Sequence, residues 1–226
     1  MNEETKSLFL QEHPLFTGLG SQQLRSLASL MKAKIYARGE MFGFGEGGYS
    51  KICLLIKGKI KISGNDEAGN ELVKDILTAP DIFGDLSLDG PGPTDDYATA
   101  LTGNTLAGSF AVADFRNILE NHPVMALAYA RIVNKKLKRL EDRHSDLVFR
   151  DARFRLIRFI KSWAVSDGNR VGNKIILSNY LTHSDIAGVI ATSRQSVNVL
   201  FNELRDSGLL FYNRQRIELN DTEGWN

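Results

Sequence analysis

Between Thr182 and Leu210 the hydrogen-bonding side chains fall into a pattern suited to reading the edges of base pairs. Ser193, Arg194, Gln195, Ser196, Asn198 and Asn202 cluster at the start of a segment whose apolar residues Val197, Leu200, Phe201 and Leu204 recur at helical spacing. Arginine can bond guanine O6 and N7 together, and glutamine or asparagine can grip adenine in the same way. Arg194, Gln195 and Asn198 are therefore the candidate base readers. Ser193 and Ser196 suit phosphate oxygens, as do Arg214 and Arg216 a little further on. The alternative is a packed helix pair whose polar face is merely solvated.

Such side chains need elements to hold them. Thr182 can cap a first helix whose third residue, Asp185, is acidic where the helix end is positive. Ile186, Val189 and Ile190 supply its apolar face, and Ala187 is small enough for a second helix to cross closely. Ala191-Thr192-Ser193 is a compact break, Arg194–Ser207 the second helix, and Gly208 its stop. Leu209–Asn213 and Arg216–Leu219 read as a two-stranded wing. Two helices around so short a turn, followed by a hairpin, make a winged helix-turn-helix. Upstream, Arg153–Val165 is an amphipathic helix carrying Phe154, Ile157, Phe159 or Ile160, and Trp163. Gly168 is placed to end it in the left-handed conformation, and a short strand, Lys174–Leu177, follows.

Pro123 can open a long helix running from about Val124 to Asp146. Ala126, Ala130, Val133, Leu137, Leu140, His144 and Leu147 recur along it at alternating steps that match a coiled-coil repeat of roughly 3.5 residues. Burying that seam against a twin makes Ala130, Val133, Leu137, Leu140 and His144 the candidate dimer interface; packing on its own domain is the other solution. A charged His144 would oppose its twin across the axis.

From Ala33 to Phe110 short segments rich in Ile, Val, Phe and Leu alternate with Gly, Asn and Asp, as in an all-β barrel or sandwich. The candidate strands are Lys34–Ala37, Met41–Phe44, Lys51–Ile56, Lys59–Ser63, Leu72–Leu77, Tyr97–Leu101 and Thr105–Ser109. Short helices at Ser21–Met31, with Ser21 as cap, and at Ala111–Asn121 flank the unit.

Charge is unevenly divided. The 226 residues carry a net +1, yet residues 1–130 hold 11 Lys/Arg against 16 Asp/Glu, and residues 131–226 hold 17 against 11. Only the basic second part is suited to approach a polyanion. No run of eighteen apolar residues occurs, and Met1-Asn2-Glu3-Glu4 lacks the basic start of a secretion signal, so a cytoplasmic protein without membrane contact is expected. The single Cys53 and the scattered His13, His122, His144 and His183 offer no metal-ligand spacing, and no nucleophile or Gly-rich phosphate loop points to catalysis. Neither a metal site nor a catalytic residue is assigned.

Asp185-Ile186-Ala187, Thr192-Ser193-Arg194-Gln195-Ser196-Val197 and Leu204-Arg205 together resemble the DNA-binding domain of the cyclic-AMP receptor protein/FNR (Crp/Fnr) family. His13-Pro14-Leu15-Phe16, Gly39-Glu40, Ile56-Lys57-Gly58-Lys59-Ile60, Asp81-Ile82-Phe83-Gly84-Asp85 and the long helix stand in that family's order, so the likeness spans nearly the whole chain. The resemblance implies an α+β chain with three parts. Residues 1–122 would form a β-roll (double-stranded jelly-roll-like) sensor resembling cyclic-nucleotide-binding domains, 123–147 a dimerisation helix, and 148–226 the winged helix-turn-helix. It further implies a dimer on a palindromic double-stranded DNA site, with RNA polymerase as a further partner of such regulators. Arg194 and Gln195 match base-reading positions of the family and Ser196 a phosphate contact. A further DNA-facing position falls near Asn198 and Val199, where this chain departs from the usual residue. Ala191 stands where a glycine is usual, at a cost on the order of 1 kcal/mol if φ is positive there.

The family holds a cyclic nucleotide with a Gly-Glu pair on the ribose and an Arg-Ser pair on the phosphate. Gly84, Asp85, Leu86 and Ser87 stand at the first position. At the second, the matching stretch is Pro93-Thr94-Asp95-Asp96-Tyr97-Ala98, in which Asp96 or Tyr97 would face the phosphate, and no arginine lies between Arg38 and Arg116. A carboxylate facing an anionic phosphate disfavours cyclic AMP or cyclic GMP in the usual mode, so no cofactor is assigned. Another ligand pocket on these residues, or a plain strand cap, are the remaining readings. A rival function for the whole chain is a ligand-sensing module whose C-terminal part binds protein; an enzyme on a cupin-like barrel lacks the residues it would need.

Overall fold

The computed structural model describes residues 1–43, 50–88 and 96–220. The chain divides into two compact units, Met1–Leu140 and Glu141–Asn226.

The first unit opens with a helix, α1 (Glu3–Glu12), that the hydrophobic pattern does not announce, because Leu10 is its one buried residue. Its local signal is the Asn2 cap, whose Oδ1 accepts from the Thr5 N–H at 2.9 Å ahead of two acidic first-turn residues. In α2 (Ser21–Leu30) the expected cap is displaced by one residue. Gly20 is the cap, and Gln23 Oε1 accepts its N–H at 2.8 Å while Ser21 lies inside the helix.

Among the described residues eight strands follow: β1 (Lys32–Tyr36), β2 (Met41–Gly43), β3 (Lys51–Lys57), β4 (Lys59–Asn65), β5 (Glu71–Thr78), β6 (Asp81–Gly84), β7 (Tyr97–Ala100) and β8 (Thr105–Ala111). They form two antiparallel four-stranded sheets, ordered β1-β8-β3-β6 and β2-β7-β4-β5. The period of two along β3 decides how the sheets are used. Ile52 and Leu54 enter a cluster with Leu10, Phe16 and Leu27 from the helical lead-in and with Phe115 and Met125. Cys53 and Leu55 point the other way, into a cluster with Ile60, Ile62, Leu77 and Ala98 of the second sheet. The first sheet is therefore buried on both faces and the second on one, as a double-sheet roll requires. Burial pushes the Cys53 thiol up to about 12, so this cysteine is an inert packing residue. The strand absent from the sequence reading is β6, and Phe44, the last residue of one expected strand, lies outside the described residues.

His13 is buried with both ring nitrogens engaged. Nδ1 accepts from the Leu15 N–H at 3.2 Å, and Nε2 lies 3.4 Å from the Asp81 carbonyl oxygen. Burial lowers its pKa below the ordinary 6.5, only partly countered by the Asp81 carbonyl and carboxylate. Between the folded and unfolded values the unfolded chain holds the extra proton. The stabilisation is thus complete above the unfolded value and is lost as pH falls through the folded one. Thermal unfolding from about pH 7.5 to about pH 5 should show a steeper acid loss for the wild type than for His13→Gln. Parallel profiles would refute the assignment.

After α3 (Val112–Asn121), Pro123 occupies the first position of α4 (Pro123–Phe149), as its missing N–H predicts. Met125 and Tyr129 are buried in the first unit, and Ala126, Ile132 and Val133 pack partly against the same core. Val133 thus serves its own unit at least in part. Ala130 is exposed, and Leu137 and Leu140 keep 53% and 61% of their surface open. Helix α4 accordingly has two apolar sides, one spent on its own core and one bare.

The second unit contains α5 (Ala152–Asp167), β9 (Asn169–Val171), β10 (Lys174–Ser178), α6 (His183–Ile190), α7 (Arg194–Asp206), β11 (Leu210–Tyr212) and β12 (Arg216–Asn220). The expected two-stranded wing is part of one sheet ordered β11-β12-β10-β9, with β9 not foreseen. Gly168 has φ −72°, so it is not the left-handed cap that was expected. Glycine is needed there for closeness, since a Cβ would meet the Ala164 carbonyl oxygen at 2.2 Å and Ile175 at 2.5 Å. Phe154, read as a core residue, is exposed beneath the Arg150 guanidinium, while Leu156, Ile157, Ile160 and Trp163 form the buried face.

Candidate nucleic-acid interface

Helix α6 starts on a reciprocal cap. Thr182 Oγ1 accepts the Asp185 N–H at 3.1 Å, and Asp185 Oδ2 accepts the Thr182 N–H at 2.8 Å. Ile186, Ala187 and Ile190 are buried, so α7 packs over α6 where Ala187 lets it approach. The break between them turns on Ala191 at φ 51°, ψ 63°, the left-handed region anticipated for that position. A β-carbon there costs on the order of 1 kcal/mol. Ala191→Gly should therefore stabilise the unit by up to about 0.5 kcal/mol, after allowance for the greater freedom of an unfolded glycine. Chemical denaturation would measure it, and a destabilised variant would contradict it.

The turn is held from outside by a residue that the sequence does not single out. Arg155 on α5 donates Nε–H to the Ile190 carbonyl at 2.8 Å and Nη2–H to the Ala191 carbonyl at 3.2 Å. These are end carbonyls of α6 that the helix itself cannot satisfy. Arg155 lies 35 residues from Ile190, and no local motif marks it.

Helix α7 begins on Ser193, whose Oγ accepts the Ser196 N–H at 2.9 Å and lies 2.8 Å from the Ser196 hydroxyl. The two serines thus form the helix cap and leave their hydroxyls beside its positive end. Val197, Phe201 and Leu204 are buried, which directs Arg194, Gln195 and Asn198 outward. Together with His183 these three line an open recess of about 430 Å³. His183 packs its ring 4.9 Å from Phe201 and 5.7 Å from Tyr212. Burial first, and the Arg194 charge second, lower its pKa from 6.5. It joins the candidate residues only through the fold, since in sequence it is one histidine among four.

Helix α7 ends at Gly208, which has φ 72°, and the wing follows. Asn213 Oδ1 accepts the N–H groups of Gln215 and Arg216 at 2.8 and 2.9 Å, shaping a tip on which Arg214 is exposed. Arg216 pairs with Glu218 at 2.7 Å, so it would have to share or leave that partner to meet a phosphate.

The candidate effector residues of the first unit are engaged in two sets of hydrogen bonds, one network around Asp85 and a second around Asp96 and Tyr97. Gly84 ends β6 at φ 93°, and a Cβ there would strike the Lys51 carbonyl oxygen at 2.3 Å. Asp85 Oδ1 then accepts from the Ser87 N–H and hydroxyl at 3.0 and 2.6 Å, so its carboxylate shapes its own loop. The Leu86 carbonyl accepts the Tyr129 hydroxyl at 2.5 Å, joining this loop to α4. Burial, and Asp85 nearby, raise the Tyr129 phenol to about 12. In the second network Asp96 takes two bonds from the Lys74 ammonium, at 2.6 and 2.8 Å. The Tyr97 hydroxyl lies 3.3 Å from Glu71 Oε1, and Glu71 in turn pairs with Lys61 at 2.9 Å. Residues 93–95, which precede Asp96 in the stretch compared with the family's phosphate pair, lie outside the described residues. Among the described residues no cluster of His, Cys, Asp and Glu could hold a metal ion, and no helix is long and apolar enough to cross a membrane.

A two-sheet roll, a long helix with one bare apolar side and a winged helix-turn-helix define a transcription-regulator architecture. Comparison with known proteins agrees. Residues 33–122 match the cyclic nucleotide-binding domain model, and residues 154–224 the Crp-like helix-turn-helix domain model. A CRP-like cAMP-activated global transcriptional regulator from Mycobacterium tuberculosis is 26% identical over 210 residues, spanning 92% of this chain and 93% of that protein. A global nitrogen regulator from Synechocystis sp. is 25% identical over 216 residues, covering 93% of each. The structure of a CooA mutant from Carboxydothermus hydrogenoformans superposes with a TM-score of 0.72 at 25% identity, over 88% of this chain and 87% of the other. The chain belongs to the Crp/Fnr family of transcription regulators. These matches carry the regulator reading, and none carries the protein-binding alternative.

Proposed function

We propose that the protein is a cytoplasmic, non-enzymatic regulator that binds a palindromic double-stranded DNA site as a homodimer. Arg194, Gln195 and Asn198 read base edges, and Ser193, Ser196, Arg214 and Arg216 hold phosphates. The observation that carries this is the outward group of Arg194, Gln195 and Asn198 around an open recess at the start of α7, beside a serine-capped helix end. The bare side of α4, with Ala130, Leu137, Leu140 and His144, supplies the dimer seam, and half-buried Val133 borders it. RNA polymerase is the partner through which such a dimer would act on transcription.

Cyclic AMP in the family's usual mode is disfavoured as an effector. Asp96 or Tyr97 would face the phosphate there in place of a cation, and the Lys74 ammonium is bonded to Asp96. A ligand of other chemistry near Gly84–Ser87 would act through the Tyr129 hydroxyl, because displacing the Leu86 carbonyl must move or release a residue of α4.

Fluorescence anisotropy with a pool of random duplexes, repeated across a salt series, tests the proposal. Binding should weaken steeply with salt, with a logarithmic slope of about −0.9 per phosphate neutralised. Cyclic AMP at millimolar concentration should leave the affinity unchanged. Salt-independent binding, or none, would refute DNA recognition, and a cyclic-AMP-dependent gain would refute the effector reading alone.

A further inference from the structure

The C-terminal end of α6 leaves carbonyl oxygens that the helix itself cannot satisfy. The turn takes up two of them, since the Ala191 and Thr192 N–H groups donate to Gly188 and Ala187 at 3.4 and 3.0 Å. The next three carbonyls are held by arginines from outside. Arg155 on α5 holds those of Ile190 and Ala191, and Arg143 on α4 donates Nη2–H to the Val189 carbonyl at 3.1 Å. Guanidinium groups suit this place, because their charge faces the negative end of the helix. The two arginines differ in what they join. Arg155 also bonds the Arg150 carbonyl, so it serves the short joint between α4 and α5. Arg143 stands before that joint and reaches α6 directly, 46 residues along the chain. It therefore closes a circuit: α4 leads through α5 to α6, and Arg143 ties α6 back to α4.

From Glu141 onward α4 belongs to the second unit, and on those same turns His144 and Leu147 continue its bare side. A group that fixes α6 to these turns fixes α7 with it, because the two helices pack on each other at Ala187. We infer that Arg143 is a positioning residue for DNA recognition. It holds the reading helices at a set angle to the dimer seam and so sets the half-site spacing that the dimer accepts. This rests on the symmetric DNA binding proposed above. Lengthening an operator by one base pair moves the second half-site about 3.4 Å along the duplex and turns it by about 35°. A latched pair of heads can follow only by giving up a latch. Heads already released follow at less cost.

The test uses the full-length protein and three duplexes derived from the operator enriched from a random pool. They are the selected palindrome, the palindrome with one base pair added at its centre, and a single half-site. The wild type should prefer the selected spacing to the lengthened one. In Arg143→Ala that preference should shrink by about 10-fold, the worth of one hydrogen bond from a charged donor. Arg143→Lys, which keeps a charged donor, should shrink it less. Affinity for the single half-site, and its salt slope, should match the wild type in both variants, because no phosphate contact is removed. A plainly structural role would weaken all three duplexes together. An unchanged spacing preference overturns the positioning role while DNA binding stands. So does a half-site affinity that falls in both variants, or an Arg143→Ala protein that light scattering shows to be monomeric. If the wild type enriches no inverted repeat, the symmetric reading falls and this inference falls with it.

Discussion

Arg194→Ala is expected to leave the fold intact and erase preference at one base pair of each half-site. Arg194 is exposed at the first position of α7, and Ser193 caps the helix without its help. A bidentate arginine–guanine contact discriminates by about 1–3 kcal/mol, so the preferred base should lose roughly 5- to 150-fold of its advantage. Substitution at other positions of the half-site should be penalised as before. The measurement is competition binding against a set of single-base operator variants. A wing substitution should behave differently. Arg214→Ala should weaken every sequence alike and reduce the salt slope by about one for each wing that loses a phosphate contact. Arg216→Ala should do the same more weakly, because Arg216 already has Glu218 at 2.7 Å. Unchanged base discrimination in Arg194→Ala would contradict the groove assignment.

Leu137→Asp combined with Leu140→Asp is expected to yield a monomer that has lost most of its operator affinity. Both leucines are more than half exposed, so neither is needed by the core that Met125 and Tyr129 help build. Four carboxylates facing one another along a coiled-coil seam would lose the apolar burial and add repulsion. A dimer binds its second half-site as an intramolecular event, and losing that advantage should lower affinity by about 100-fold or more. Light scattering at micromolar protein and anisotropy on the operator would follow the two effects. A variant that remains dimeric, or a monomer that binds as tightly as the wild type, would place the interface elsewhere.

The parts of this molecule legible in the sequence are those with short-range causes. Thr182 with Asp185, Pro123 and Gly208 each fix a helix end through contacts within a few residues, and each lies where its chemistry places it. The left-handed Ala191 is anticipated only through the family resemblance, which puts a glycine at that position. What escaped the pattern depends on contacts that only the folded chain makes. Arg155 reaches the end of α6 from α5, β6 is a strand only because β3 offers it an edge, and Gly168 is required by its closeness to Ala164 and Ile175 rather than by its φ. Helix α1 was hidden because one buried leucine makes no periodic stripe. In the candidate site the polar readers were visible as residue types. His183 gained meaning only when the fold brought it beside Arg194, Gln195 and Asn198.

Selection of bound duplexes from a random pool by the wild-type protein is the most direct test of the central claim that two α7 helices enter DNA as a symmetric pair. The enriched sequences should form an inverted repeat whose half-site centres lie about 34–36 Å apart, one turn of the double helix or a multiple of it. Each half-site should contain a base pair whose identity Arg194→Ala no longer distinguishes. Enrichment of single unrepeated sites, or of no sequence at all, would contradict the account.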